Sequence, residues 1–561
     1  GRGGDDTIVG GGGDDTVGFQ ADRSAATVTD LGNGQVQIAS GDGTDVISGV
    51  ENFAFNDGTV DLATLLGNVS DSGSTTITYV GTENDFIGTA FLDDDNNTSV
   101  DIVSNTGTQL VLRNSATGYT STLIGTGITF SGAAGEEVPT GGTITGISIV
   151  DGDGVAQGTI TDINWDLVEF SDALDAVADN DNVAPLADLF SSNGTLTVDG
   201  SGATFDLYLD DLLGSDITTL LTQPMDIIGS DGDDSLIGGA GADYIEAGGG
   251  NDTIDASIGA ASSQNWGDYI KPGAGTNTII GHQDLFEVSN DGLDIGYQDV
   301  SNSGGIILTV GENGSGTAVS NTAGVVNDTF TYAHRFDGTH QNDRFEGSAN
   351  SNWEGWGGNG GDDTINAGEG YDELLYHHDS KRGGSGAITV NFETGTATDG
   401  FGDTDTFTGI EAVRGTAQND VFIGSEALGF ISYRGLDGND TITGSTAWDR
   451  ADYSKDANYG GSGAITADLS AGTILDGFGT TDQVSDIDQV RGTNQGDSMT
   501  AAGLQQGIQF EGRDGNDTLT GGGGDDTIYG GNNFDTISAG EGNDEVHGGN
   551  GRDLIFLNQG D

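Results

Sequence analysis

The chain has 561 residues, 15 basic against 90 acidic, and a formal net charge of −75. A surface that acidic repels nucleic acid and anionic lipid and suits cations. With no cysteine, neither disulfides nor thiolate metal sites can hold the chain, and no apolar run approaches the roughly 20 residues of a membrane span. Such a charge would ordinarily mean disorder, but 34% of the residues are hydrophobic and their aliphatic members recur regularly. Glycine supplies 101 residues and proline only 4, and the glycines do not fall at every third position as collagen requires.

The first residues carry the governing pattern. GRGGDDTIV and GGGGDDTVG are blocks of nine, with small residues in the first two places, Asp6 and Asp15 sixth, and Ile8 and Val17 eighth. These blocks open a segment spanning 1–66. From 67 to 226 no run of nines appears. There TGGTITGISIVDGDGVAQGTITDI alternates like paired strands with a turn at 151–154. DLVEFSDALDAVADNDNVAPLADLF places apolar residues at helical spacing interrupted by Pro185, which predicts a β-rich inserted module with one or two helices. The nines resume in 227–337 with Asp234, Asp243 and Asp252.

A longer period overlies 338–511. GTHQND, GTAQND and GTNQGD start at Gly338, Gly415 and Gly492, 77 residues apart, and the turns at Gly358, Gly435 and Gly512 keep the same spacing. Residues 358–434 and 435–511 therefore read as tandem units, carrying Asp363 with Asp372 and Asp440 with Asp449. Duplication lengthens a scaffold, whereas catalysis rarely needs it. The clearest run closes the chain at 512–561, with Asp517, Asp526, Asp535, Asp544 and Asp553 sixth and Leu519, Ile528, Ile537, Val546 and Ile555 eighth. The chain starts without Met inside one nonapeptide and stops inside another, which reads as a window cut from a longer protein.

The nine-residue rule has a physical basis. A three-residue strand points one aliphatic side chain inward and two outward. The six residues before it must reverse the chain, and glycine accepts the positive φ and close backbone approach this needs. Such a turn gathers carbonyl oxygens around an aspartate, a hard-oxygen environment suited to Ca2+. Two turns per coil give an 18-residue coil and an all-β fold, a parallel β-roll with a thin aliphatic core.

These runs resemble the RTX, or haemolysin-type calcium-binding, repeats of secreted bacterial proteins, and GTDVISGVENFAFNDGTVDL (43–62) resembles sequence that flanks them. The resemblance implies that each sixth-place Asp named above, with carbonyls of its turn, binds calcium between coils. It also implies type I secretion and an extracellular or cell-surface location. Eighteen-residue spacing pairs Asp517 with Asp535, Asp535 with Asp553, Asp526 with Asp544, and Asp234 with Asp252. Two-turn runs contain no such pair, so their sites must borrow ligands from flanking segments or be weak.

Catalytic signatures are sparse. Neither HExxH nor GxSxG occurs. His377 and His378 lack a third ligand and read as a solvated loop, as does His547. Tyr376 and Tyr453, 77 apart, read as structural; Arg414 and Arg491, also 77 apart, read as salt-bridging. Trp266, Trp353 and Trp356 read as aromatic caps before a sugar platform. The sequence thus predicts a calcium-dependent scaffold, not an enzyme: a surface-layer, adhesin or filament component whose partners are copies of itself and possibly cell-surface polysaccharide. A polysaccharide lyase or epimerase carried on repeats, and the repeat region of a cytolysin, are the alternative readings.

Overall fold

The computed structural model describes residues 75–80, 90–91, 100–132, 138–180, 182–191, 195–203, 207–209, 221, 223–257, 267–283, 286, 292–350 and 352–557, together with seven strands between 7 and 61. Two long sheets face each other from about residue 225 onward. One contains 20 strands, from Ser235–Ile237 to Leu554–Phe556. The other stacks parallel strands from Met225–Ile228 to Glu545–Asn550. The chain alternates between them, one short strand in each sheet per coil.

The eighth-place rule is what closes this stack. Leu519 lies opposite Ile537, and Ile537 opposite Ile555, each 18 residues on; Ile528 lies opposite Val546 in the facing sheet. Leu519, Ile528 and Ile537 are fully buried. Where the nines lapse, other apolar residues take the same column: Phe336 opposite Trp356, Trp356 opposite Leu374, and Val413 opposite Tyr433. One continuous core results, and its linear extent compensates for its thinness.

The tandem units repeat their pairing as well as their sequence. Ile365 lies opposite Phe407 and Ile442 opposite Val484; Leu374 lies opposite Val413 and Ala451 opposite Val490. Each unit also inserts a hairpin, Thr389–Asn391 with Thr396–Thr398 and Thr466–Asp468 with Thr473–Leu475, which lengthens one of its coils.

The segment between the repeat runs joins the same sheet. Antiparallel strands Val100–Asn105, Gln109–Asn114, Thr120–Ser131, Val138–Val150 and Ala156–Asp166 form a meander. Its last strand pairs with Thr75–Tyr79, which runs parallel to Leu196–Asp199 and so to Met225–Ile228, where the stack begins. The predicted turn is present: Asp151 accepts the Asp153 and Val155 amides, both at 2.9 Å. Two helices follow, Leu167–Asn180 and Ala184–Phe190, the second with Pro185 in its first turn, where a missing amide costs nothing. Trp165 anchors them by stacking on Phe170 and donating Nε1–H to the Leu189 carbonyl at 2.9 Å. Among the described residues no helix is long and apolar enough to cross a membrane.

Candidate metal centres

Each sixth-place aspartate is tied to the coil before it. Asp535 Oδ1 accepts the Asp517 N–H at 2.9 Å, Asp553 Oδ1 that of Asp535 at 3.1 Å, Asp544 Oδ1 that of Asp526 at 3.0 Å, and Asp252 Oδ1 that of Asp234 at 2.9 Å. All four pairs expected from 18-residue spacing are therefore neighbours. Asp6 and Asp15 lie outside the described residues.

The described two-turn runs are hydrogen-bonded to carboxylates in their flanks. Asp363 accepts from the Asp343 amide at 2.7 Å and donates its own N–H to Asp405 at 3.1 Å; Asp440 accepts from Asp420 at 2.8 Å and donates to Asp482 at 2.9 Å. On the second column Asp372 accepts from the Glu354 amide and donates to Glu411, while Asp449 donates to Asp488. Asp243 donates to Asp268, and Asp252 to Asn277, which in turn donates to Asp328. Sequence reasoning missed these flanking groups, although GTHQNDRFE, GTAQNDVFI and GTNQGDSMT place Asp343, Asp420 and Asp497 sixth and Phe345, Phe422 and Met499 eighth. The residues at their second, third and fourth places hid the match.

The second carboxylate oxygen distinguishes the sites. Oδ2 of Asp252, Asp363, Asp372, Asp440, Asp517 and Asp535 is buried and accepts no hydrogen bond, and each of these residues is at most 2% exposed. A buried ionised oxygen without a partner is expensive. Burial pushes Asp363 up to about 10, with the Asp405 and Asp343 charges adding to it, and Asp440 up to about 9, with Asp482 contributing. Asp372 is raised to about 8, and Asp252 and Asp517 to about 7, again chiefly by burial. First-place glycine makes room for this oxygen: a Cβ on Gly435 would lie 1.9 Å from Asp440 Oδ2.

Elsewhere a tyrosine supplies the missing partner. Tyr376 Oη donates to Asp405 Oδ2 at 3.1 Å, Tyr453 Oη to Asp482 Oδ2 at 2.8 Å, and Tyr297 Oη to Asp328 Oδ2 at 3.0 Å. Tyr376 and Tyr453 are thus structural, as expected.

A cation fits the unpaired oxygens, which are hard, buried and repeated along two edges. Among the described residues no three His, Asp or Glu side chains converge as a ready-made metal cluster. Each ion would accordingly rest on one or two carboxylates, with backbone oxygen completing the shell.

The other candidates are engaged in packing. Trp356 is 1% exposed and stacks on Phe336, and Trp353 lies beneath the Arg335 guanidinium; neither forms an open platform, and Trp266 lies outside the described residues. His377 and His378 are partly buried, not solvated: their rings lie tilted 3.9 Å apart, Tyr459 meets His377 edge-on, and the Arg382 guanidinium bonds His378. His547 is exposed and pairs with Glu545. Arg414 clamps Glu373 with two hydrogen bonds, and Arg491 binds Glu511.

The family model for the RTX calcium-binding nonapeptide repeat (4 copies) matches residues 1–18, 227–260, 358–374, 432–458, 509–537 and 529–561. No curated protein matches the sequence. The chain carries RTX calcium-binding repeats along its length, on a strand-rich fold of long parallel sheets.

Proposed function

We propose that this chain is a calcium-dependent extracellular scaffold, a bacterial surface-layer, adhesin or filament component that folds and self-associates when it meets calcium outside the cell. The observation that carries this reading is the set of buried, unpartnered second oxygens on Asp252, Asp363, Asp372, Asp440, Asp517 and Asp535, spread along two carboxylate columns. Bound Ca2+ would supply positive charge and a coordination shell there. Without it, these carboxyls must stay protonated or, once ionised, repel one another in a poorly screened environment.

Extracellular-type sites bind at about 10⁻⁴–10⁻³ M. Cytosolic calcium would leave the chain unfolded and exportable, whereas millimolar calcium outside would fold it. Duplicated units that repeat one pairing pattern add reach, and Tyr376, Tyr453, Trp353 and Trp356 are engaged internally. These features favour a scaffold over a lyase or epimerase. Stacked coils also offer a route to assembly: head-to-tail contacts that do not close extend into filaments or lattices.

The test is circular dichroism, sedimentation and electron microscopy across a calcium titration of the chain. Strand signal and ordered homopolymers should appear together at millimolar calcium and vanish with chelator. Full strand content in chelator would overturn calcium-dependent folding. A strictly monomeric protein that degrades an acidic polysaccharide would overturn the scaffold role.

A further inference from the structure

Among the described residues the nonapeptide turns take two backbone forms, and the forms sort the aspartates except at Asp243, whose turn has no positive φ although its Oδ2 is unpartnered. In the first form the second and fourth places both have positive φ. In the turn ending at Asp440 these are Leu436 (φ 72°) and Gly438 (φ 136°); in that ending at Asp517 they are Arg513 (φ 79°) and Gly515 (φ 124°). Gly531 (φ 112°) and Asn533 (φ 82°) precede Asp535 in the same way. Positive φ in leucine and arginine is rare, so the surrounding coils impose it. In the second form neither place has positive φ, and the second-place amide turns onto the carboxylate. The Thr416 N–H donates to Asp420 Oδ2 at 2.7 Å and its hydroxyl to Oδ1 at 2.9 Å. Thr339 seals Asp343 and Thr493 seals Asp497 identically, and Ser445 seals Asp449.

Side-chain identity alone does not decide the form. Gly522, with no hydroxyl, also donates its N–H to Asp526 Oδ2, at 2.6 Å. The coil before does correlate with it. Oδ1 of the sealed Asp343, Asp420, Asp497 and Asp526 accepts from the amides of Ile306, Ile388, Ile465 and Ile508. By contrast, Oδ1 of the open Asp363, Asp440, Asp517 and Asp535 accepts from an aspartate amide (Asp343, Asp420, Asp497 and Asp517). An open turn therefore stacks on a coil that already bears a carboxylate, and its own second oxygen is left for a cation. A sealed turn stacks on an apolar neighbour, where its own amide and hydroxyl suffice.

We propose that only the open turns hold calcium, and that the sealed turns at Asp234, Asp343, Asp420, Asp449, Asp497 and Asp526 are metal-free clamps. Each column thus starts on a turn that needs no ion and passes to turns that do. In this scheme Asp234, Asp449 and Asp526, which carry the repeat signature, are not primary ligands. The inference deepens the calcium reading given above and rests on it.

Equilibrium dialysis of the chain against calcium, with native mass spectrometry to count ions, tests it through Asp440→Asn, Asp363→Asn, Asp420→Asn and Asp449→Asn. Each of the first two variants should bind one calcium fewer than the parent, and each of the last two the same number. Loss of an ion in Asp420→Asn or Asp449→Asn, or retention of every ion in Asp440→Asn, overturns the assignment. Hydrogen exchange of the unsubstituted chain needs no variant to fold: added calcium should protect 436–440 and 513–517 by at least tenfold more than 416–420 and 493–497, and equal protection overturns the assignment. A parent chain that binds no calcium would instead remove the broader reading.

Discussion

The Asp420 amide donates to Oδ1 of Asp440 at 2.8 Å, across 20 residues of chain and one coil of the stack, and the Asp440 amide passes the same bond to Asp482 at 2.9 Å. Carboxylates that would repel in isolation are thereby fixed in one column by the backbone. The bond uses only one oxygen of Asp440. Whatever meets the other oxygen decides whether the column is stable.

Substitutions at two repeat aspartates should accordingly behave differently. Asp535 Oδ2 is unpartnered, and the residue links Asp517 to Asp553. Asp449 is satisfied by the Tyr433 hydroxyl at 2.8 Å and by Ser445. Asp535→Ala should raise the calcium midpoint of folding. Asp449→Ala should instead cost about 1–3 kcal/mol at saturating calcium, as lost buried hydrogen bonds do, and leave the midpoint less affected. Calcium titrations followed by circular dichroism, with melts at saturation, separate the two. Equal midpoint shifts would count against the stacking argument.

The tyrosine plugs give a second expectation. Removing the hydroxyl in Tyr453→Phe leaves Asp482 Oδ2, in a fully buried residue, without its partner. Stability in low calcium should fall by about 1–3 kcal/mol, and added calcium should recover more of it than it does for the parent. Thermal melts at two calcium concentrations measure this. A loss independent of calcium would show that the exposed oxygen recruits no cation.

Much of this was legible in the sequence because two periods were. The period of nine fixed the inward residues such as Leu519 and Ile537, and the 18-residue coil followed from it, as did the Asp517–Asp535 pairing. The period of 77 foretold matched pairing, such as Ile365 with Phe407 and Ile442 with Val484. The flanking carboxylates stayed hidden because Asp405 and Asp482 sit in hairpin-bearing coils 42 residues from their partners Asp363 and Asp440. A fixed period cannot register variable coil length. Nor could sequence separate open from sealed turns, since Gly522 and Gly531 are the same residue type in opposite conformations.

The buried arginines make a third prediction. Arg434 bridges Glu373 at 3.0 Å and Asp452 at 2.9 Å, and Asp452 is 2% exposed. Burial opposes the charge on Asp452, but the Arg434 guanidinium, with Arg450 and Arg491 behind it, holds its carboxyl below the usual range. Arg434→Ala would leave two carboxylates underpaired and should cost about 3–5 kcal/mol, measured by thermal unfolding in saturating calcium. Arg344→Ala, whose partner Glu346 lies on the surface, should cost less than about 1 kcal/mol. Comparable losses would mean that burial is not what gives the Arg434 network its weight.

Protons and calcium should compete for the open turns. Asp363 and Asp440 are raised to about 10 and about 9 in the fold, chiefly by burial, against about 3.9 in an unfolded chain. A folded-state pKa raised above the unfolded value favours folding at low pH, and that advantage is lost as pH climbs toward the folded value. Between about pH 4 and pH 9 the metal-free fold holds protons that the unfolded chain has released, so its stability should fall by about 1.4 kcal/mol per pH unit for each such group. Metal-free protein should therefore show more strand signal at pH 5 than at pH 8.5, and millimolar calcium at pH 8.5 should restore it. Binding should also release protons, read as acidification of a weakly buffered solution at pH 7. The measurement is circular dichroism in metal-stripped buffers beside a proton-release titration. Metal-free protein as well folded at pH 8.5 as at pH 5, with no proton release on adding calcium, would show that the unpartnered carboxylates are not where the ion acts.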